Sequence, residues 1–203
     1  MIGVVNAARR AVAQEILAAA RAHDERQPDR RARFRNVEPE TAELLGVLIR
    51  ATGARRILEL GGSNGYSTIW LADAAEETGG SVTSVEVDPE RTALARANLA
   101  RATVRAELRA QDAGRALSDS PDGWWDFVFL DAERPAYTGY WPELLRSLRP
   151  AGGLAAIDNV LSHAAEVAAF GALIDAEPSV ISALVPIGAG VRLVVRGEER
   201  RSR

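Results

Sequence analysis

The chain has 203 residues, 47% hydrophobic and 26% charged, which fits one soluble domain with a sizeable core and excludes whole-chain disorder. Its net charge of −3 speaks against a general nucleic-acid-binding surface. Cysteine is absent and all 25 basic residues are arginine, so disulfides, thiolate metal sites, cysteine nucleophiles and lysine bases are ruled out together. Residues 4–23 predict a helix, with Val5, Ala8, Val12, Ile16, Ala19 and Ala20 at helical spacing. Its apolar stripe needs a cover, for which a homodimer partner is expected. Arg9, Arg10 and Glu15 interrupt this segment, so it is no secretory signal, and no apolar run approaches the ~20 residues of a membrane helix. A cytoplasmic location is expected.

A charged connector, 24–35, leads to a second helix that starts at Pro39 and closes at Gly53. From there strands and helices alternate. The run 55–60 is a strand, 61–65 a glycine-rich turn, 66–77 a helix, 81–87 a β-branched strand, and 88–102 a helix capped by Asp88. A third strand is predicted over 103–110, a short helix near 113–118, and a fourth strand over 124–131, with Trp124, Trp125 and Phe127 in core and strand-edge packing. The loop 132–137 precedes a helix from Tyr140, a fifth strand covers 152–158, and a helix covers 163–177. Two last strands, 179–187 and 190–196, read as an antiparallel hairpin.

This alternation predicts an α/β fold with a mostly parallel sheet covered on both faces, whose ligands bind beyond the carboxyl ends of the strands. Those ends carry Glu59-Leu60-Gly61-Gly62, Glu86, Gln111-Asp112, Asp131 and Asp158-Asn159, with an acid at each. The turn Gly61-Gly62-Ser63-Asn64-Gly65 can admit a ligand close to backbone, yet Ser63 replaces the second glycine of the dinucleotide fingerprint, which disfavours a nicotinamide dehydrogenase. Glu86 is placed to accept ribose hydroxyls. Asp112 can face an adenine or cap the following helix. Asp131, Asp158 and Asn159 offer three hard oxygens that suit Mg²⁺ or form an ordinary Asx turn. His163 reads more readily as a surface helix terminus than as a base.

The segments ILELGGSNGYSTIWLADA, VEVD, FVFLDAERPAYTGYW and AIDNVLSH, in that order and spacing, resemble the catechol O-methyltransferase-like family of S-adenosylmethionine-dependent, metal-dependent enzymes. The resemblance implies a Rossmann-like class I methyltransferase, a seven-stranded sheet with a reversed last strand. Residues 37–197 would form the methyltransferase domain, 1–36 a substrate or dimer region, and 198–203 a frayed tail. It further implies that Glu59, Gly61, Gly62 and Ser67 border the methionine carboxylate of S-adenosylmethionine and that Val37 contacts the same end. Glu86 would hold the ribose, Gln111 and Asp112 would border the adenine, and Asp131, Asp158 and Asn159 would bind the divalent metal, Mg²⁺ by its oxygen ligands. Arg134 stands where family members carry a lysine base. A guanidinium keeps its proton, so Arg134 is expected to stabilise the substrate anion while Glu133, water or no dedicated base takes the proton. The expected acceptor is a small catechol-like hydroxylated aromatic. A hydroxylated uridine of tRNA, favoured by the arginines at 30–35, and a cofactor-binding homologue without turnover are the alternatives.

Overall fold

The computed structural model describes residues 6–198. Residues 4 and 5 of the predicted first helix, and 199–203 of the predicted tail, lie outside them. The strands are β1 (Arg56–Leu60), β2 (Ser81–Glu86), β3 (Glu107–Ala110), β4 (Phe127–Leu130), β5 (Leu154–Ile157), β6 (Val180–Val185) and β7 (Val191–Arg196). They form one sheet in the order β3-β2-β1-β4-β5-β7-β6. The first five pair in parallel, and β7 runs antiparallel to both β5 and β6, as the predicted hairpin requires. The helices are α1 (Ala7–Asp24), α2 (Pro39–Thr52), α3 (Tyr66–Thr78), α4 (Pro89–Arg101), α5 (Ala113–Ser118), α6 (Tyr137–Ser147) and α7 (Ala164–Ala176). None among the described residues is long and apolar enough to cross a membrane.

Strand alternation divides the core into two layers. Ile57, Phe127, Phe129 and Ala156 face α1–α4, whereas Leu58, Leu60, Val128, Leu130 and Ile157 face α5–α7. Burial on both faces explains why the central strands read as continuous apolar runs. The apolar stripe of α1 packs into the first layer through Ala13, Ile16 and Leu17. Arg9 anchors it to α3 by a 2.8 Å ion pair with buried Asp73. The stripe is therefore covered by its own chain, and the argument it gave for a homodimer partner falls away.

Three further expectations are corrected. The third strand is only Glu107–Ala110, because Thr103 turns left-handed (φ 53°) and the Val104 N–H donates back to Leu99, closing α4. Helix α6 begins at Tyr137 and not Tyr140, since Pro135 sits in a 3-10 turn (Arg134–Ala136) that leads straight into it. Trp125 and Phe127 are buried as expected, but Trp124 is exposed, with the Arg56 guanidinium over its ring.

Asp126, just before β4, ties the amino ends of the central strands together. Its carboxylate accepts the N–H groups of Arg55 (3.0 Å) and Arg56 (2.9 Å) and pairs with the Arg56 guanidinium at 3.2 Å. Burial opposes its ionisation, but these donors prevail and hold its pKa below the usual carboxylate value. The carboxylate thus stabilises the fold above the unfolded pKa of about 3.9, and the contribution is lost as pH falls through the folded value. Asp126→Asn should lower the unfolding free energy by roughly 1–3 kcal/mol at neutral pH and flatten the acid loss of the urea midpoint. An unchanged acid slope would contradict this.

Candidate active site

Strand order reverses between β1 and β4, so the loops leaving their carboxyl ends diverge and open a crevice there. Gly61 forms its floor with φ 101°; a Cβ on it would lie 2.3 Å from the Asp131 carbonyl oxygen. The N–H groups of Gly61 and Gly62 both donate to the Val85 carbonyl, at 2.9 and 3.0 Å, pinning the turn to β2. Glu59 lies fully buried beneath it and accepts the hydroxyls of Ser67 (2.6 Å), Thr68 and Ser84. Burial raises its pKa despite these three donors. The expected anion-binding set is therefore partly spent within the protein. Gly61, Gly62, Ser67 and Glu59 build the turn, and Gly61, Ser63 and Ser67 line the cleft at the amino end of α3.

Glu86 is fixed at the end of β2 by the Ser63 and Asp88 N–H groups, each 2.9 Å from a different carboxylate oxygen. Each oxygen keeps a lone pair for a ligand hydroxyl. Asp112 caps α5 by accepting the Arg115 N–H at 2.9 Å, which realises the structural half of its two readings. Gln111 donates to Asp119 at 3.1 Å. Both still border a cleft of about 680 Å³, within the usual range for small-molecule sites.

On the far side of Gly61, β4 and β5 deliver Asp131 and Asp158-Asn159 to one place. The Asn159 Nδ2 donates to Asp131 at 2.7 Å and to Asp158 at 3.3 Å, with Asn159 itself left-handed (φ 66°). Burial, and then the neighbouring Asp158 charge, push the Asp131 carboxyl well up. Burial raises Asp158 to about 6. The Asp158 Oδ1 is buried without any donor. Among the described residues no three His, Cys, Asp or Glu side chains cluster as a metal set. Yet two crowded carboxylates, an orphaned carboxylate oxygen and an amide that also carries a carbonyl oxygen fit a hard divalent cation.

Arg134 is buried and gives its Nε to Glu166 at 2.9 Å. Its charge opposes the rise of the Asp158 pKa. Glu133 is exposed and held by Arg35 at 2.5 Å. His163 is the N-cap residue of α7, half-buried at the cleft wall, with its Nδ1 2.8 Å from the Ser162 hydroxyl.

The connector, expected as part of a substrate or dimer region, supplies a wall of the cleft whose individual contacts sequence patterns did not reveal. Asp24 accepts the N–H groups of Phe34 (2.8 Å) and Arg35 (2.9 Å), and Arg91 donates to the Arg33 carbonyl at 3.0 Å while lying over the Phe34 ring. Phe34, Arg35, Asn36 and Tyr140 thereby join the expected Val37 in lining the cleft. Asn36 presents a buried Nδ2 without an acceptor. The one sequence signal for this wall was the density of arginine at 30–35.

Comparison with known proteins agrees with this geometry. The family model described as O-methyltransferase matches residues 9–197. A catechol O-methyltransferase from Niastella koreensis is 37% identical over 132 residues, which are 62% of this chain and 58% of that enzyme's length. Among solved structures, an O-methyltransferase from Bacillus cereus in complex with S-adenosylhomocysteine is 28% identical, with a TM-score of 0.75 over 97% of this chain and 93% of that one. The O-methyltransferase TomG of Streptomyces achromogenes, involved in tomaymycin synthesis and bound to S-adenosylmethionine, is 26% identical, with a TM-score of 0.72 over 97% and 92%.

The contact at Gly61 can be tested against a neutral control. Gly53 also has positive φ (63°), but a Cβ there meets nothing within 4 Å. Gly53→Ala should cost about 1 kcal/mol of stability, and Gly61→Ala roughly 2–4 kcal/mol, because only the latter forces β1 and β4 apart. Equal costs in urea denaturation would contradict the close approach.

Proposed function

The chain belongs to the O-methyltransferase family, and from that premise we propose that it transfers a methyl group from S-adenosylmethionine to a hydroxyl of a catechol-like aromatic, assisted by a divalent metal ion. The observation that carries this reading is the meeting of Asp131, Asp158 and Asn159 across Gly61 from Glu86, in one cleft. The catechol O-methyltransferase relative and the two cofactor-bound neighbours support the acceptor class and the cofactor.

Asp131, Asp158 and Asn159 would hold the metal ion, and Glu86 the ribose hydroxyls. The amino end of α3 would face the cofactor's carboxylate, with Val37 alongside and Gln111 and Asp112 bordering the base. When bound, the metal ion lowers the acceptor hydroxyl's pKa and S-adenosylmethionine supplies the methyl group. Arg134 cannot accept the hydroxyl proton, and Glu133 is engaged by Arg35, so the proton leaves to water. Arg134, held in place by Glu166, acts as a fixed positive charge that lowers the cost of forming the acceptor oxyanion before methyl transfer consumes it. Of the four arginines at 30–35, Arg33 and Arg35 are spent on the Gln27 carbonyl and Glu133, which reduces the basic surface that a tRNA would need.

Methyl transfer from labelled S-adenosylmethionine to catechol tests the proposal. Transfer should require Mg²⁺, stop with chelator, and fall at least about a hundredfold in Asp158→Asn. Metal-independent transfer, or no transfer to any catechol, would overturn it. Arg134→Ala should lower kcat roughly ten- to hundredfold at neutral pH. Full rate in that variant would remove the oxyanion role.

A further inference from the structure

Five arginines line the cleft, and they differ in how firmly a carboxylate holds them. Arg35 is paired with Glu133, Arg91 with Asp88, and Arg134 with Glu166, whereas Arg31 pairs with no carboxylate among the described residues. Arg30, on the 3-10 turn Arg30–Ala32, is placed otherwise. Its nearest carboxylate is Glu166 at 3.9 Å, beyond hydrogen-bond reach, and that group already accepts Arg134 at 2.9 Å. The Arg30 Nη2 lies instead 3.3 Å from the His163 Nε2. A guanidinium only donates, so in this contact Arg30 is the donor. The Arg30 side chain remains 49% exposed at the cleft.

We infer that the acceptor carries one anionic substituent, a carboxylate on the ring that bears its hydroxyls, and that Arg30, seated on His163 at the amino end of α7, receives it. The inference rests on the methyl-transfer reading and adds the substrate's charge to it. Arg30 and Arg134 share one carboxylate, Glu166, which Arg134 holds at 2.9 Å and Arg30 only approaches at 3.9 Å, so the Arg30 guanidinium keeps donors for a ligand carboxylate. The amino end of α7, where His163 provides no side-chain cap, adds to the attraction. The place fits as well, since the His163 N–H donates to the Asn159 carbonyl at 3.3 Å, one turn of chain from the residues assigned to the hydroxyl end.

Protocatechuate, a catechol carboxylate, and its neutral methyl ester are the probes. They are titrated by calorimetry into protein loaded with S-adenosylhomocysteine and Mg²⁺, and assayed in parallel for methylation. The acid should bind at least about tenfold more tightly than the ester, and Arg30→Gln should bring the ratio close to one. Arg31→Gln, in the same turn, should leave the ratio intact. An ester that binds as well as the acid, an acid that does not bind, or a preference that survives Arg30→Gln would overturn the inference. If the acid binds through Arg30 yet neither diol is methylated, the subsite stands and the methyl-transfer reading falls. If both diols are methylated without preference, the reading stands and the subsite falls.

Discussion

The close approach of β1 and β4 at their carboxyl ends governs the rest of the molecule. Gly61 has to pass the Asp131 carbonyl at a distance that leaves no room for a Cβ, and its φ of 101° is open to few other residues. That passage brings the turn before α3 and the loop before α6 to a common crevice. Glu86 stands on one side of it and Asp131 on the other. A cofactor lying across Gly61 would reach both, which is why one glycine links the cofactor end to the acceptor end.

The second constraint is charge. Glu59, Asp131 and Asp158 are carboxyl groups gathered at neighbouring strand ends, and beyond burial the charges of Asp158 and Glu59 raise the cost of ionising Asp131. Glu59 is accommodated by three hydroxyl donors. Asp131 and Asp158 have only one shared amide between them, with Arg35 and Arg134 as the nearest opposing charges. A protein without lysine meets this demand with arginine alone, and arginine cannot double as a proton acceptor. The same group that offsets the carboxylates is thereby barred from base catalysis, and what it can contribute is positioning and fixed charge.

Much of this was legible in the sequence, because parallel strands buried on both faces read as short apolar runs and their polar ends stand out. Glu86, Asp131, Asp158 and Asn159 were found in this way, as was the hairpin that places β7 between β5 and β6. The connector was expected in a substrate or dimer region, but the contacts that hold its wall were not legible. Asp24 reaches Phe34 and Arg35, and Arg91 reaches in from α4, without any local periodicity to announce them. The turn residues carry internal bonds that were hidden for a related reason. Ser67 and the glycine amides sit at the expected place, but tertiary neighbours on β1 and β2 take up their hydrogen bonds. The apolar stripe of α1 predicted a need for cover, and pattern alone could not tell a partner from the chain's own α3.

The most direct measurement is calorimetric titration of Mg²⁺ into the protein at pH values on either side of about 6, the value to which burial lifts Asp158. A raised carboxyl pKa means that proton and cation compete for the same oxygens. The account predicts binding at the higher pH with proton release, weakening about tenfold per unit as pH falls below that value, and lost in Asp158→Asn. Cation binding that is independent of pH, or that persists in Asp158→Asn, would contradict it.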